Sequence, residues 1–320
     1  MKEVALRSVT AEMLEELAKE NQKIMVFTSD ATGSASLNAF AQHFPEKLVE
    51  MGIAEQNEVT VAAALSSCGF TSMICAPAAF MSARALEQVK IDVAYANANV
   101  KIIGISGGLS YGTSGTTHHA ITDLAAIVPM ENIRVLLPSD SVQMRWLIRE
   151  LAESPGPYYV RIGRNPVPTI YEDGEKFEIG KAKLVRDGSD LTIIAAGETL
   201  CHAVQAAEKL KDRGIGARVL DMFSVKPMDQ EAVILAARQT GRILVAEEHT
   251  EAGGIGSLVT QLTSAHCAVP VRCLALPSGH LVTGSDKELF RYYGLDAEGI
   301  ERAATAFLRD TALSRPGARP

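Results

Sequence analysis

Apolar and polar positions follow one another along this chain in two alternating rhythms. Leu6, Val9, Met13, Leu14 and Leu17 recur at the three-and-four spacing of a single helix face, and the apolar run Ile24–Phe27 behind them has the length of a buried strand. The succession then repeats. A helix rich in small residues, Val59–Ser67, precedes a strand at Ser72–Cys75, and a further helix runs from Pro77 through Gln88 and Val93 to the strand Val100–Ile105. Ile133–Leu137 and Tyr158–Arg161 predict two more strands on either side of a helix containing Trp146. A second series places strands at Leu191–Ala195, Ala217–Met222 and Ile243–Glu247, with helices near Cys201–Lys211, near Glu231–Ala237 and after Gly256. Strands that are apolar throughout and separated by helices predict α/β architecture, with mostly parallel sheets covered on both faces.

The two series are divided by a change in composition. Around Asn165–Gly180 the chain carries Pro166, Pro168, Asp173 and Gly174 and few large aliphatic residues. Residues 1–165 therefore read as one domain, 166–183 as a linker, 184–312 as a second domain and 313–320 as a tail. Two domains also suit a length of 320 residues, more than one core usually organises. Asp187-Gly188 reads as a hairpin turn.

Charge and cysteine usage narrow the function classes. A net charge of −7 argues against a nucleic-acid or anionic-membrane surface. The longest apolar runs fall well short of the roughly 18 residues that cross a bilayer. The five cysteines are widely spaced and form no CxxC pair, so they read as buried free thiols of a cytoplasmic protein. No Walker loop, complete GxGxxG, HExxH or GxSxG motif is present; Gly253-Gly254-Ile255-Gly256 comes nearest to a dinucleotide fingerprint and lacks its third glycine.

In parallel sheets ligands collect beyond the carboxyl ends of the strands. Asp30, the glycine-rich loop from Gly107 to His119, and Arg161 all fall there. Glu55 sits just ahead of a helix packed with alanine, where a carboxylate is poorly solvated and suited to sharing a proton. From spacing alone it reads more readily as a first-turn acid favoured by the helix dipole, since such acids are common.

Gly52-Ile53-Ala54-Glu55-Gln56-Asn57 resembles the signature of the pyrimidine-binding domain of thiamine-diphosphate enzymes, and in particular the carboxy-terminal half of transketolases and 1-deoxyxylulose-5-phosphate synthases. Ser29-Asp30, the Phe80–Gln88 helix, Gly112–His118, Leu136-Pro138-Ser139-Asp140 and Tyr159–Gly163 follow that pattern in order. In the second domain Val245–His249, Gly253–Gly256 and Tyr293-Gly294-Leu295 do so as well. The chain is thus similar to the carboxy-terminal subunit of a split transketolase.

The resemblance implies thiamine diphosphate with Mg2+, the metal and diphosphate being held by a separate N-terminal subunit, in an α2β2 heterotetramer. It implies that Glu55 hydrogen-bonds the cofactor's pyrimidine ring, that Phe80 lies on or beside that ring, and that Asp30 orders the cofactor side of the cleft. His118 would meet the sugar, with His119 behind it, and Arg161 would hold a terminal phosphate, with Arg164 in reserve. Arg84 reads either as structural or as lining the cofactor cleft. Glu247, Glu248 and His249 receive no catalytic duty. The implied reaction transfers a two-carbon ketol unit from a ketose to an aldehyde. The alternative is a 2-oxoacid-decarboxylating enzyme of the deoxyxylulose-phosphate-synthase or dehydrogenase β-subunit type.

Three departures stand out. Transketolases place a histidine twelve residues before His118 and an aspartate four residues before it; here Ser106 and Ser114 occupy those positions. Ala54 replaces the arginine that precedes the glutamate in full-length transketolases. Cofactor-facing positions are kept and sugar-reading ones are changed, which predicts a modified or less hydroxylated sugar.

Overall fold

The computed structural model describes residues 3–310. The tail read at 313–320, and the last residues of the second domain, lie outside the described residues. The strands are β1 (Glu3–Ala5), β2 (Ile24–Thr28), β3 (Leu48–Glu50), β4 (Thr71–Pro77), β5 (Val100–Ile105), β6 (Arg134–Leu136), β7 (Tyr158–Arg161), β8 (Pro166–Pro168), β9 (Lys183–Arg186), β10 (Leu191–Ala195), β11 (Ala217–Asp221), β12 (Ser224–Lys226), β13 (Ile243–Thr250) and β14 (Val271–Leu276). They form two mostly parallel sheets flanked by helices and a two-stranded ribbon. The first sheet runs β12-β6-β7-β5-β4-β2-β3, the second β14-β13-β10-β11-β9, and the ribbon pairs β1 with β8.

The apolar strands are buried on both faces, as their composition requires. In β5, Val100 and Ile102 pack into one core cluster, while Ile103 and Ile105 pack into another on the opposite face. Each such aliphatic side chain removed from water contributes about 1.5–3 kcal/mol. The first of these clusters also takes in Ile194, Leu220, Met222 and Val245 from the second half of the chain. The two sheets therefore share one core. β12 carries this furthest, leaving the second series to pair antiparallel with β6.

Three expectations change. Asp187-Gly188 joins strands that are not neighbours, since β9 pairs antiparallel with β11 rather than with β10. Gly188 is needed for clearance: a Cβ there would lie 2.5 Å from the backbone carbon of Ala217. Cys68 is exposed and Cys267 and Cys273 only partly covered, so the thiols are not uniformly buried. The helix read at Val59–Ser67 begins four residues earlier, at Glu55.

A buried polar knot ties the linker to both sheets. Asp221, at the end of β11, accepts hydrogen bonds from the Tyr171 hydroxyl at 2.7 Å, Gln143 Nε2 at 3.0 Å and Ser139 Oγ at 3.1 Å. Asp140 accepts from the backbone N–H groups of Ile170 and Tyr171 at 2.7 and 2.8 Å. Burial, helped by the charge of Asp140, raises the Asp221 carboxyl from 3.8 to about 7 against the lowering effect of its three donors. A folded-state pKa above the unfolded one means that the folded chain holds this proton more tightly. Its contribution is complete below about pH 4 and is lost as pH rises through about 7. Asp221→Asn is expected to flatten the fall in unfolding free energy across that window, measured by urea denaturation at a series of pH values. An unchanged slope would contradict the assignment.

Candidate active site

The site lies at the carboxyl ends of β2, β3, β4 and β5. Glu50 ends the short strand β3, and its carboxylate gathers the neighbouring loops. It accepts from the backbone N–H of Asp30 at 2.7 Å, the Thr32 hydroxyl at 2.8 Å and the backbone N–H of Gly52 at 3.0 Å. Asp30 itself is exposed, with φ of 50°, and no helix begins until Asn38, so helix capping is not its role.

With those loops fixed, the chain turns at Gly52 and starts the Glu55–Ser67 helix. Glu55 occupies its first position and is 1% exposed. The helix N-terminus favours a carboxylate there. A buried charge also needs a partner, and Arg84 supplies it: Nη1 stands 2.7 Å from each Glu55 oxygen. Arg84 is 45% exposed, so the pair sits at the boundary between protein and cleft.

One turn further along, Glu58 is fully buried and accepts a 2.6 Å bond from the Ser29 hydroxyl. Its other oxygen, Oε1, has no hydrogen-bond partner among the described residues. Burial first, then the charges of Glu55 and Glu50, raise its carboxyl to about 8. At neutral pH it is a carboxylic acid. The wall thus holds, three residues apart, an acid ion-paired with Arg84 and one whose burial favours its protonated form.

From Glu55 an unbroken line of contacts runs across the cleft. The Arg84 guanidinium lies 4.5 Å over the Phe80 ring, Phe80 meets His118 edge-on at 5.3 Å, and His118 meets Tyr111 at 5.2 Å. Arg164 lies 5.0 Å over Tyr111. His118 Nδ1 is 2.9 Å from the Thr117 hydroxyl, which leaves Nε2 for another partner. His119 is buried beside it, and burial holds its imidazole below its usual pKa.

The line ends at two guanidinium groups. Arg7 donates to the Ser34 carbonyl at 3.0 Å, and burial, followed by the charge of Arg164, pulls its pKa below the usual value. Arg7 Nε and Arg164 Nη1 are both buried without a hydrogen-bond partner. Each thus keeps a donor to spare, and neither is ion-paired with a carboxylate among the described residues, the kind of arrangement an anion would satisfy.

The resemblance gives that anion to Arg161, and the structure turns Arg161 elsewhere. It is 7% exposed, its Nη1 pairs with Asp123 at 3.2 Å, and it donates to the Glu248 carbonyl at 3.4 Å. β7 is covered on both faces, so its last residue points inward, and the loop three residues on reaches the cleft. Ser106 and Ser114 also part company. Ser106 is fully buried with φ of 55° and an unpartnered hydroxyl, whereas Ser114 is exposed in the turn Gly112–Thr117.

Glu50, Glu58 and Arg7 do not stand out in the sequence. Arg7 belongs to a helix whose apolar face is plain, so a basic residue off that face reads as solvated. Glu58 offers one signal: a second acid within the first turn of a helix otherwise made of small residues.

Residues 2–169 match the family model described as transketolase, pyrimidine binding domain, and residues 180–300 match transketolase, C-terminal domain. The chain is 46% identical over 307 residues to an apulose-4-phosphate transketolase subunit of Phocaeicola vulgatus, covering 96% of this chain and 98% of that protein. It is 35% identical over 299 residues to the 6-deoxy-6-sulfo-D-fructose transketolase subunit SqwH of a Clostridium species, covering 93% of each. A solved structure described as a split gene transketolase, inactive beta4 tetramer, matches with a TM-score of 0.87 and 36% identity, covering 98% of this chain and all of that one. The line from Glu55 to Arg164 therefore lies within the pyrimidine-binding domain of a protein that belongs to the transketolase family and corresponds to its carboxy-terminal half.

Proposed function

We propose that this chain is the pyrimidine-side subunit of a two-component transketolase that takes a two-carbon ketol unit from a ketose with an anionic end and passes it to an aldehyde. The observation that carries this reading is the continuous cleft wall with a buried carboxylate at one end and two unpaired guanidinium groups at the other. The relatives described above are named as transketolase subunits, which favours ketol transfer over decarboxylation of a 2-oxoacid.

The residues present fit the ring end of thiamine diphosphate. Glu55 offers a buried carboxylate whose described partner is a half-exposed arginine, and Phe80 offers a part-exposed aromatic face beside it. Asp30, in the loop held by Glu50, borders the same opening. Arg84 shares this cofactor side, holding the Glu55 carboxylate at the cleft edge. Bound there, the cofactor would supply a carbon nucleophile for cleaving a ketose carbon–carbon bond and forming a new one to the aldehyde. Glu55 holds a proton at a ring nitrogen, Arg84 keeps its carboxylate oriented, and the neutral Glu58 adds no second charge to the wall. His118 Nε2 meets a sugar hydroxyl, and Arg164 with Arg7 fixes the phosphate or other anion at the far end. Arg161 supports this arrangement from beneath.

Among the described residues no group of three or more His, Cys, Asp or Glu side chains is arranged to hold a metal. In this reading Mg2+ and the diphosphate sit on a separate N-terminal subunit. Ile53, just before the Glu55 helix, and Ile91 and Tyr95, on the helical segment Val89–Tyr95 beside it, are large, exposed apolar residues, a surface on which that subunit would close. Two chains of each kind would form an α2β2 heterotetramer in the cytoplasm, with no nucleic-acid or membrane partner. The first domain would end at residue 165 and the second span 184–312. The short hydroxyls of Ser106 and Ser114 suit a sugar other than the standard pentose phosphates, in keeping with the sugars named for the two relatives.

Two outcomes test the reading. In the reconstituted two-subunit enzyme, Glu55→Ala is expected to abolish ketol transfer while sedimentation shows the assembly unchanged; turnover near wild type would remove its basis. Arg164→Ala is expected to raise the KM for a phosphorylated ketose by about tenfold or more, the loss of a charge-assisted contact. The same change in Arg161 should act mainly on stability, seen as a lowered Tm. Equal KM effects would return the anion-holding role to Arg161.

A further inference from the structure

Strand β13 reaches across from the second sheet, and its last three residues touch the loop that carries the sugar-facing side chains. Glu248 and His249 are buried, and Thr250 nearly so. Glu248 Oε1 accepts the backbone N–H of Leu109 at 2.9 Å. Packing at that point is close: Gly108 has φ of +57°, and a Cβ on it would lie 2.5 Å from the same carboxylate oxygen. Gly108 and Ala120 exchange backbone hydrogen bonds at 3.1 and 3.0 Å, closing the base of a loop that contains Tyr111, Ser114 and His118.

The far end of that loop is pinned by the next two residues. The Thr250 N–H donates to the Ile121 carbonyl at 3.0 Å. His249 Nδ1 lies 2.8 Å from the Thr250 carbonyl and donates to it, so Nε2 is free to accept the Ala125 N–H at 3.4 Å. Arg161 braces the arrangement from below through Asp123 and the Glu248 carbonyl, and Asp123 also accepts the Tyr159 hydroxyl at 2.7 Å.

We infer that Glu248 is a positioning residue for the sugar-binding loop, so that the second domain sets the geometry of the first domain's substrate end. The role rests on the transketolase reading above for its effect on catalysis, but not for its effect on the loop. Glu248 meets none of the side chains between Glu55 and Arg164. Its carboxylate reaches the loop base by accepting a buried N–H that loses its acceptor when the side chain is removed, and its charge also faces Arg161. Ser106, immediately before this base, holds a left-handed conformation unusual for a residue with a Cβ. Such a backbone persists only where its surroundings fix it, and the Glu248 contact is three residues away.

The test compares Glu248→Ala with Glu248→Gln in the two-subunit enzyme. Glutamine keeps an oxygen that accepts the Leu109 N–H; alanine does not. Glu248→Ala is expected to raise the ketose KM by about tenfold or more, the effect of a loop displaced by a fraction of an ångström, with thiamine diphosphate affinity unchanged. Glu248→Gln should stay within about threefold of wild type, below the effect of a lost hydrogen bond. Hydrogen exchange measured on the full chain should show residues 106–121 losing protection in the alanine variant and keeping it in the glutamine variant, with the Glu55 helix unaffected in both. Gly108→Ala leaves Glu248 in place but forces the loop base away from it, and should reproduce the KM and exchange changes if the alanine variant does not fold.

The inference is overturned if loop exchange and KM are unchanged in Glu248→Ala and Gly108→Ala. It is overturned equally if glutamine damages both readouts as much as alanine, or if cofactor affinity falls in step with KM. Absence of ketol transfer by the wild-type pair would defeat the proposed function, while the exchange comparison would still decide the role of Glu248.

Discussion

A carboxylate taken out of water must find its compensation nearby, and the site is organised around how Glu55 finds it. The helix N-terminus supplies a partial positive charge and Arg84 a full one, yet Arg84 remains 45% exposed. The pairing leaves the carboxylate both charged and reachable. A fully enclosed ion pair would have been inert, and a solvated glutamate would have had no preference for a partner of its own. The remaining wall follows from this constraint. Glu50 commits its charge to backbone N–H groups, and Glu58 is held as a neutral acid by burial, so the acids near Glu55 do not compete with it for Arg84.

The two sheets divide the work. The first supplies every side chain in the line from Glu55 to Arg164. The second contributes no residue to that line but shares its hydrophobic core and holds the loop that carries Tyr111 and His118. Glu247 illustrates the difference between the acids of β13: both its oxygens accept N–H groups at the start of the Ile255–His266 helix, a structural duty within its own domain. Glu248, its neighbour, points the other way, towards the loop. Because adjacent residues of a strand face opposite sides, one acid closes a helix and the next crosses to the other sheet.

Much of this is legible in the sequence. Val100–Ile105, Tyr158–Arg161 and Leu191–Ala195 are strands at the limits their apolar runs set, because a strand buried on both faces writes its ends as a change of polarity. Leu48–Glu50 and Val271–Leu276 escape such a reading. The first is three residues long, and the second is a sheet-edge strand that is only partly covered over most of its length, so neither carries a strong apolar signal. The same limit applies to the site. Motif and spacing mark Glu55 and His118, whereas the proposed preference for Arg164 over Arg161 rests on which of the two arginines is turned away from the cleft. Spacing does not encode that; the surrounding acids, Asp123 and Glu248, do. Arg7 joins the proposed site because it reaches from its helix to the Ser34 carbonyl, a tertiary contact with no local trace in the sequence.

In the proposed enzyme this chain presents the ring-binding half of a cleft whose other half belongs to a second polypeptide. Calorimetric titration of thiamine diphosphate with Mg2+, into the chain alone and into the chain mixed with an N-terminal partner subunit, decides whether it does. Saturable binding only in the mixture, abolished by replacing Glu55, is the predicted result; tight, metal-dependent binding by the chain alone would contradict it.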